Sequence, residues 1–195
     1  AYVVLLISLL IFHALFTYSI FLKFIGGLSP ITFFRKIKNV ALFAFSTSSS
    51  AATIPVTLKT VNQDLGVNQN VASFVVPVGA TINMDGTAIM QGLATVFIAQ
   101  MSGIDLTLFQ YGQVVLLAVA TSIGTAAVPS AGTITLIIIL QQFNLPLEAI
   151  GIILAVDRVL DMIRTSVNVT GDAAIACIVA KSENQLDESI FNAHK

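Results

Sequence analysis

Thr121-Ser122-Ile123-Gly124-Thr125-Ala126-Ala127-Val128-Pro129-Ser130-Ala131-Gly132-Thr133 interrupts an otherwise apolar stretch that runs from Val114 to Leu140. The apolar arm on either side is too short to cross a hydrocarbon core alone, which takes about 20 helical residues. Helix breakers and small polar residues lie at mid-depth between the arms. The stretch predicts a helical hairpin that enters and leaves a membrane by the same face; one kinked spanning helix is the alternative. The same shape occurs earlier, where Val40 to Phe45 is followed by Ser46-Thr47-Ser48-Ser49-Ser50 and a Thr- and Pro-containing arm ending at Lys59.

The composition agrees with a membrane setting. Of the 195 residues 56% are hydrophobic and only 10% charged, against about 25% charged in soluble domains, and the mean hydropathy is +0.92. The net charge of -1 and the lack of a basic stripe speak against a nucleic-acid partner. There is no Trp to mark the bilayer edges. The single cysteine, Cys177, lies in an apolar run, reads as a small buried residue, and has no partner for an internal disulfide. Ala1 to Leu22 contains no formally charged residue, lacks the basic start of a secretory signal, and predicts a spanning helix. The chain opens inside this segment without an initiator Met, which reads as a piece of a longer protein.

Charge placement bears on the hairpin question. With two re-entrant hairpins, Lys23, Arg35, Lys36, Lys38, Lys59 and Lys181 fall on one side, the cytoplasmic one by the positive-inside rule. The connections at Gly103–Gln110 and Gln141–Glu148, without Lys or Arg, fall on the other. Each hairpin is followed by a long segment with polar residues at its centre: Val71 to Met101, carrying Asn83-Met84-Asp85-Gly86-Thr87, and Leu147 to Ala180, carrying Asp161 through Asp172. The expected architecture is an all-α membrane protein of spanning helices, two re-entrant helical hairpins and interrupted helices, arranged as an inverted repeat. Its parts are a spanning helix and cytoplasmic basic loop (1–38), the first hairpin (39–63), an interrupted spanning helix (64–110), the second hairpin (111–146), an amphipathic spanning helix (147–181) and a polar cytoplasmic tail (182–195).

Asp161, Arg164, Thr165, Asn168 and Asp172 fall, at about 100° per residue, within a stripe roughly 100° wide, and Met162, Ile163 and Val167 hold the opposite face. Ionisable groups at membrane depth are costly unless paired or functional. Asp161 and Arg164 could form a self-satisfying ion pair, which leaves Asn168 and Asp172 unexplained. A carboxylate suits a substrate ammonium and a guanidinium suits a carboxylate; Asn168 and Asp172 are hard oxygen ligands fit for a small cation. The Asn83–Thr87 run reads either as a glycine kink with capping residues or as a source of freed carbonyls, and the Ser48–Ser50 cluster either caps helix ends or offers amides to an anion.

Enzymatic readings find no support, and the chain is read as a non-enzyme. Ser130 lies in Pro-Ser-Ala-Gly, which lacks the first glycine of a nucleophile elbow. The histidines, His13 and His194, sit in the first span and the tail, away from any serine partner; His13 reads as a packed histidine rather than a proton relay. Zinc-like ligand spacings and phosphate loops do not occur.

Ser48-Ser49-Ser50-Ala51-Ala52-Thr53-Ile54-Pro55, Asn83-Met84-Asp85-Gly86-Thr87, Gly124 to Gly132, and Asp161-Met162-Ile163-Arg164-Thr165 with Asn168 to Asp172 together resemble the dicarboxylate/amino acid:cation symporter family, the glutamate and aspartate transporters. The resemblance runs from Ala1 to about Lys181 and implies the C-terminal half of such a carrier, without the earlier helices and their trimerisation scaffold. It implies that Ser50, Thr87, Val128, Gly132, Asp161, Arg164, Thr165 and Asn168 line the substrate site. Gly79, Asn83, Asn168 and Asp172 resemble one sodium site, and Thr81, Met84, Ser122, Ile123 and Thr125 a second, closed by the second hairpin. Asn83 and Asp85 would contribute to a third, whose other ligands lie on an earlier helix. Members often carry a second arginine at the positions held here by Ser48 or Met162. Arg164 is commonly replaced in relatives specific for neutral amino acids, so its presence favours an acidic cargo. The resemblance implies sodium-coupled symport of aspartate or glutamate by an elevator movement, in a lipid-embedded homotrimer of the plasma membrane. A proton-coupled glutamate or C4-dicarboxylate carrier is the alternative, although Asp161 suits an ammonium that a dicarboxylate lacks; an ion channel is the alternative from another class.

Overall fold

The computed structural model describes residues 1–193; His194 and Lys195, the end of the expected tail, lie outside the described residues. Apart from the isolated antiparallel bridge between Val67 and Leu186, the regular structure among the described residues is helical. The first helix, α1 (Tyr2–Ile25), has 24 residues and is long and apolar enough to cross a membrane. Two π-helical turns, at His13–Thr17 and Phe21–Ile25, rotate its register on the way.

Helix α2 (Pro30–Thr47) opens with Pro30 at its first position and the Ser29 side chain accepting the amide of Thr32. It ends on Ser48 at φ 51°, a left-handed conformation that turns the chain, and Ser49 at once caps α3 (Ser50–Gln63) by accepting the amide of Ala52. Helix α4 (Gln69–Ile82) is capped by Asn68 and stops at Asn83; Met84 is also non-helical, and α5 (Asp85–Met101) resumes directly. A capping box between Thr107 and Gln110 opens α6 (Leu108–Ile123). Gly124 to Ser130 form the turn into α7 (Ala131–Gln142), with Ser130 left-handed at φ 60°. Helix α8 (Ile150–Ser182) and the short α9 (Glu188–Asn192) complete the chain.

α8 is the central column. It packs against α1 to α5 and α7, and it contributes to both apolar clusters. One cluster joins α2, α3, α4 and the C-terminal part of α8; the other joins α1, α5, α6, α7 and its N-terminal part. The two turns meet beside this column: Ser49 Oγ donates to the Ala127 carbonyl at 2.8 Å, and the amide of Ala51 donates to the same oxygen at 3.3 Å.

Two expectations are corrected. The segment after the second helix pair is not interrupted: α8 is one continuous helix of 33 residues, about 50 Å long at ~1.5 Å per residue. It contains no proline, and its polar side chains reach neighbouring elements instead of opening their own backbone. Arg35, Lys36 and Lys38 sit inside α2 and not in a loop, because Ser29 and Pro30 start the helix early and Lys and Arg are good helix formers. The first helix pair therefore begins at Pro30, ahead of residue 39. The tail, whose packing the sequence did not address, is docked: Phe191 is buried in the first cluster and residues 185–187 pair with residues 66–68.

Candidate functional site

Where the two turns approach α8 they border a small pocket with a cavity volume of about 20 Å³. Its walls include Ser50, Thr87, Val128, Gly132, Asp161, Arg164, Thr165 and Asn168, so the structure brings together every residue that the family resemblance implied for a substrate. Ser48, Met84 and Thr125 to Ala127 complete the lining. The left-handed Ser48 and the cap at Ser49 bring the first turn to the cavity, while the break at Asn83–Met84 brings Thr87 to it in the first turn of α5. Gly132 permits the closest approach of α7: a Cβ there would lie 2.7 Å from Thr87 Cγ2.

The charges in this region are buried and matched. Arg164 is 2% exposed; its Nη2 donates to Asp161 Oδ1 at 2.5 Å and its Nη1 to Asp157 Oδ1 at 3.3 Å. Asp161 Oδ2 accepts the amide of Ser130, at the start of α7, at 2.9 Å. Asp157 Oδ1 also accepts Thr133 Oγ1 at 2.7 Å. Removing charges from water costs several kcal/mol per ion, and only close partners offset it. One guanidinium thus faces two carboxylates, and both carboxylates are also tied to the second helix pair.

A second polar cluster lies one to two turns further along α8. Asn83 Nδ2 donates to Asp172 Oδ1 at 3.0 Å and to the carbonyl of Asn168 at 3.3 Å, and Asn168 Oδ1 accepts the amide of Gly86 at 2.7 Å. At Gly79 a Cβ would lie 2.6 Å from Asp172 Oδ1, so only a glycine lets the carboxylate approach the end of α4. Gly79, Asn83, Asn168 and Asp172 are thus brought together, with Asn83 and the Gly86 amide donating to the oxygens of Asp172 and Asn168. The members of the other expected set are more dispersed. Met84 Sδ lies 3.3 Å from Asn168 Nδ2. Ser122 and Thr125 turn their hydroxyls onto the carbonyls of Val119 and Thr121. Thr81 bonds the carbonyl of Val78, and Thr81 and Ile123 are exposed. Asp85 Oδ2 lies 3.1 Å from His13 Nε2 and 3.2 Å from the Tyr18 hydroxyl, which is also 3.2 Å from the Val167 carbonyl. Among the described residues no three His, Cys, Asp or Glu side chains converge as in a transition-metal site.

Sequence reasoning missed several members of these networks. Asp157 lies four residues before Asp161 and on the same helical face, so extending the polar stripe one turn would have found it. Gln91, fully buried, donates to the Gly132 carbonyl and Thr135 and accepts from Thr121, joining α5 to both α6 and α7. Its spacing of four from Thr87 was the available signal. Tyr18 and His13 meet Asp85 across a separation that no local pattern encodes.

Residues 1–182 match the profile of the Sodium:dicarboxylate symporter family. An excitatory amino acid transporter of Caenorhabditis elegans is 43% identical over 178 residues, covering 91% of this chain and 35% of the relative. Excitatory amino acid transporters 5 and 2 of Homo sapiens are 44% and 45% identical, each over 30% of their own length and over 88% and 86% of this chain. The chain thus spans about a third of the length of these curated relatives. A family of carriers, not of catalysts, agrees with the non-enzymatic reading, and α1 agrees with a membrane location. The match extends over nearly the whole chain and includes both turns, the helix break and the polar stripe: the chain belongs to the sodium:dicarboxylate symporter family.

Proposed function

We propose that this chain forms the cargo-binding part of a sodium-coupled symporter of aspartate or glutamate. The observation that carries the reading is the pairing of Asp161 and Arg164 on the wall of one small cavity, beneath the two turns. A carboxylate offered to an ammonium, a guanidinium offered to a side-chain carboxylate, and turn amides for the α-carboxylate match an acidic amino acid. The relatives' names support an amino-acid cargo, and the family description supports coupling to sodium. The substrate residues are Ser50, Thr87, Val128, Gly132, Asp161, Arg164, Thr165 and Asn168. One sodium ion is held by Gly79, Asn83, Asn168 and Asp172, a second by Thr81, Met84, Ser122, Ile123 and Thr125, and Asn83 and Asp85 share in a third.

In this reading the α2–α3 and α6–α7 pairs are re-entrant hairpins of a multi-pass protein of the plasma membrane. They form an inverted repeat, and the unit moves as an elevator within a homotrimer. The α6–α7 turn, which lines the cavity, is the gate. The test is a binding and uptake titration of the intact protein with L-aspartate and L-glutamate, with and without sodium. Saturable, concentrative uptake that requires inward sodium is expected. Equal uptake without sodium favours proton coupling, preference for succinate a C4-dicarboxylate carrier, and flux only down the gradient a channel.

A further inference from the structure

Arg164 is matched by two carboxylates, and only one of them borders the cavity. Asp161 lines it and gives one oxygen to the guanidinium and the other to the Ser130 amide. Asp157 lies one turn earlier on α8, 2% exposed and outside the lining. Its Oδ1 serves Arg164 Nη1 and Thr133 Oγ1, whereas its buried Oδ2 has no hydrogen-bond partner among the described residues.

These two environments suit different tasks. An amino-acid ammonium entering the cavity, as the function proposed above requires, competes with Arg164 Nη2 for Asp161 Oδ1. When Asp161 turns to the ammonium, the guanidinium loses its shorter contact while still buried. A buried charge stripped of a partner is destabilised by several kcal/mol unless another group takes over. The free Oδ2 of Asp157 is such a group: with Oδ1 already on Nη1, accepting Nη2 would give the two-pronged carboxylate–guanidinium pair. We propose that Asp157 is the positioning residue that retains Arg164 when Asp161 engages the ammonium, and so sets the preference for acidic cargo. Thr133 holds the Asp157 carboxylate in register and links this setting to α7, the arm that follows the α6–α7 turn. This inference rests on the proposed function.

The experiment uses the intact protein in sodium-containing buffer. It titrates L-aspartate, with L-asparagine as neutral competitor, against wild type, Asp157→Asn, Asp157→Glu, Arg164→Ala and the double variant Asp157→Asn/Arg164→Ala. Asp157→Asn is expected to weaken L-aspartate about thirtyfold while the competitor changes little, and Asp157→Glu to recover most of the loss. Because Asp157 acts through Arg164, the double variant binds L-aspartate no more weakly than Arg164→Ala alone. Wild-type affinity in Asp157→Asn, or losses that multiply in the double variant, overturns the inference. Should Asp157→Asn fail to fold, Thr133→Val, which removes only the supporting hydroxyl, decides in its place: it must weaken L-aspartate more than L-asparagine, and equal effects overturn the proposal. A wild type that binds no acidic amino acid overturns the function reading and this inference with it; wild-type binding with an unaltered variant overturns the inference alone.

Discussion

The charge of Arg164 is buried between Asp157 and Asp161, so the residue proposed above to select the cargo also bears on stability. Truncating it leaves two carboxylates without their shared counter-charge. Arg164→Ala is expected to cost about 3–5 kcal/mol of stability and to abolish the preference for L-aspartate over L-asparagine, read by thermal unfolding and competition binding. An unchanged acidic-to-neutral ratio would contradict the role given to the guanidinium. Gly79 gives a second test at the same scale. An added methyl would fall on Asp172 Oδ1, so Gly79→Ala should raise the sodium concentration for half-maximal aspartate binding about tenfold, an affinity loss of about 1.4 kcal/mol. A shift in aspartate affinity that persists at saturating sodium would place the damage elsewhere. The stripe from Asp161 to Asp172 was legible because helical periodicity alone puts those residues on one face. The contacts of Asp85 with His13 and Tyr18 were not, since they depend on how α1 packs and on where its π-helical turns rotate it.

At the scale of elements, breaks in the helices were easier to read than continuity. Ser48-Ser49 and Gly124 to Ser130 are turns because small polar residues and left-handed positions concentrate there. The run of polar residues within α8 looked similar in sequence, yet those side chains bond to α5, α6–α7 and α2 while their own backbone stays helical. A polar residue in an apolar segment therefore does not by itself mark a break: where a neighbouring element bonds the side chain, the backbone can stay helical. Gln91 illustrates the same rule between elements, since it takes up hydroxyls of both α6 and α7 and the Gly132 carbonyl. Each partner left unsatisfied in the interior costs about 1–3 kcal/mol. Gln91→Ala should therefore speed hydrogen exchange across residues 121–135 and leave residues 46–52 at their wild-type rate. Equal acceleration in both turns would mean that Gln91 supports the whole fold and not the α6–α7 turn.

For the whole molecule, the two halves are less alike than the sequence suggested: one helix pair precedes a broken helix and the other an unbroken one. The first half is also closed off by the tail. The amides of Asn68 and Asp187 bond the carbonyls of Gln185 and Gly66, Lys36 Nζ donates to the carbonyls of Asp64 and Ile190, and Lys181 pairs with Glu188. Phe191 enters the apolar cluster beneath this clasp, and Phe191→Ala should cost about 3–5 kcal/mol, seen as a lower unfolding temperature.

The start of α9 adds a pH dependence. Asp187 accepts the Ser189 hydroxyl and the amides of Ile190 and Ser189, and these bonds hold its carboxyl below the usual carboxylate range. A carboxyl whose pKa is lower folded than unfolded stabilises the fold above its unfolded value, about 3.9. That contribution fades as pH falls through the folded value. Asp187→Asn keeps the acceptor without the charge, so wild type should unfold at a higher temperature than the variant near neutral pH. The gap should close as pH drops below about 3.9. A gap that stays constant into acid would assign the stabilisation to the shape of the cap and not to its charge. Because the clasp ties the end of α8 to the α3–α4 connection, the same series followed by hydrogen exchange at residues 64–68 should report the loosening on both sides of the contact.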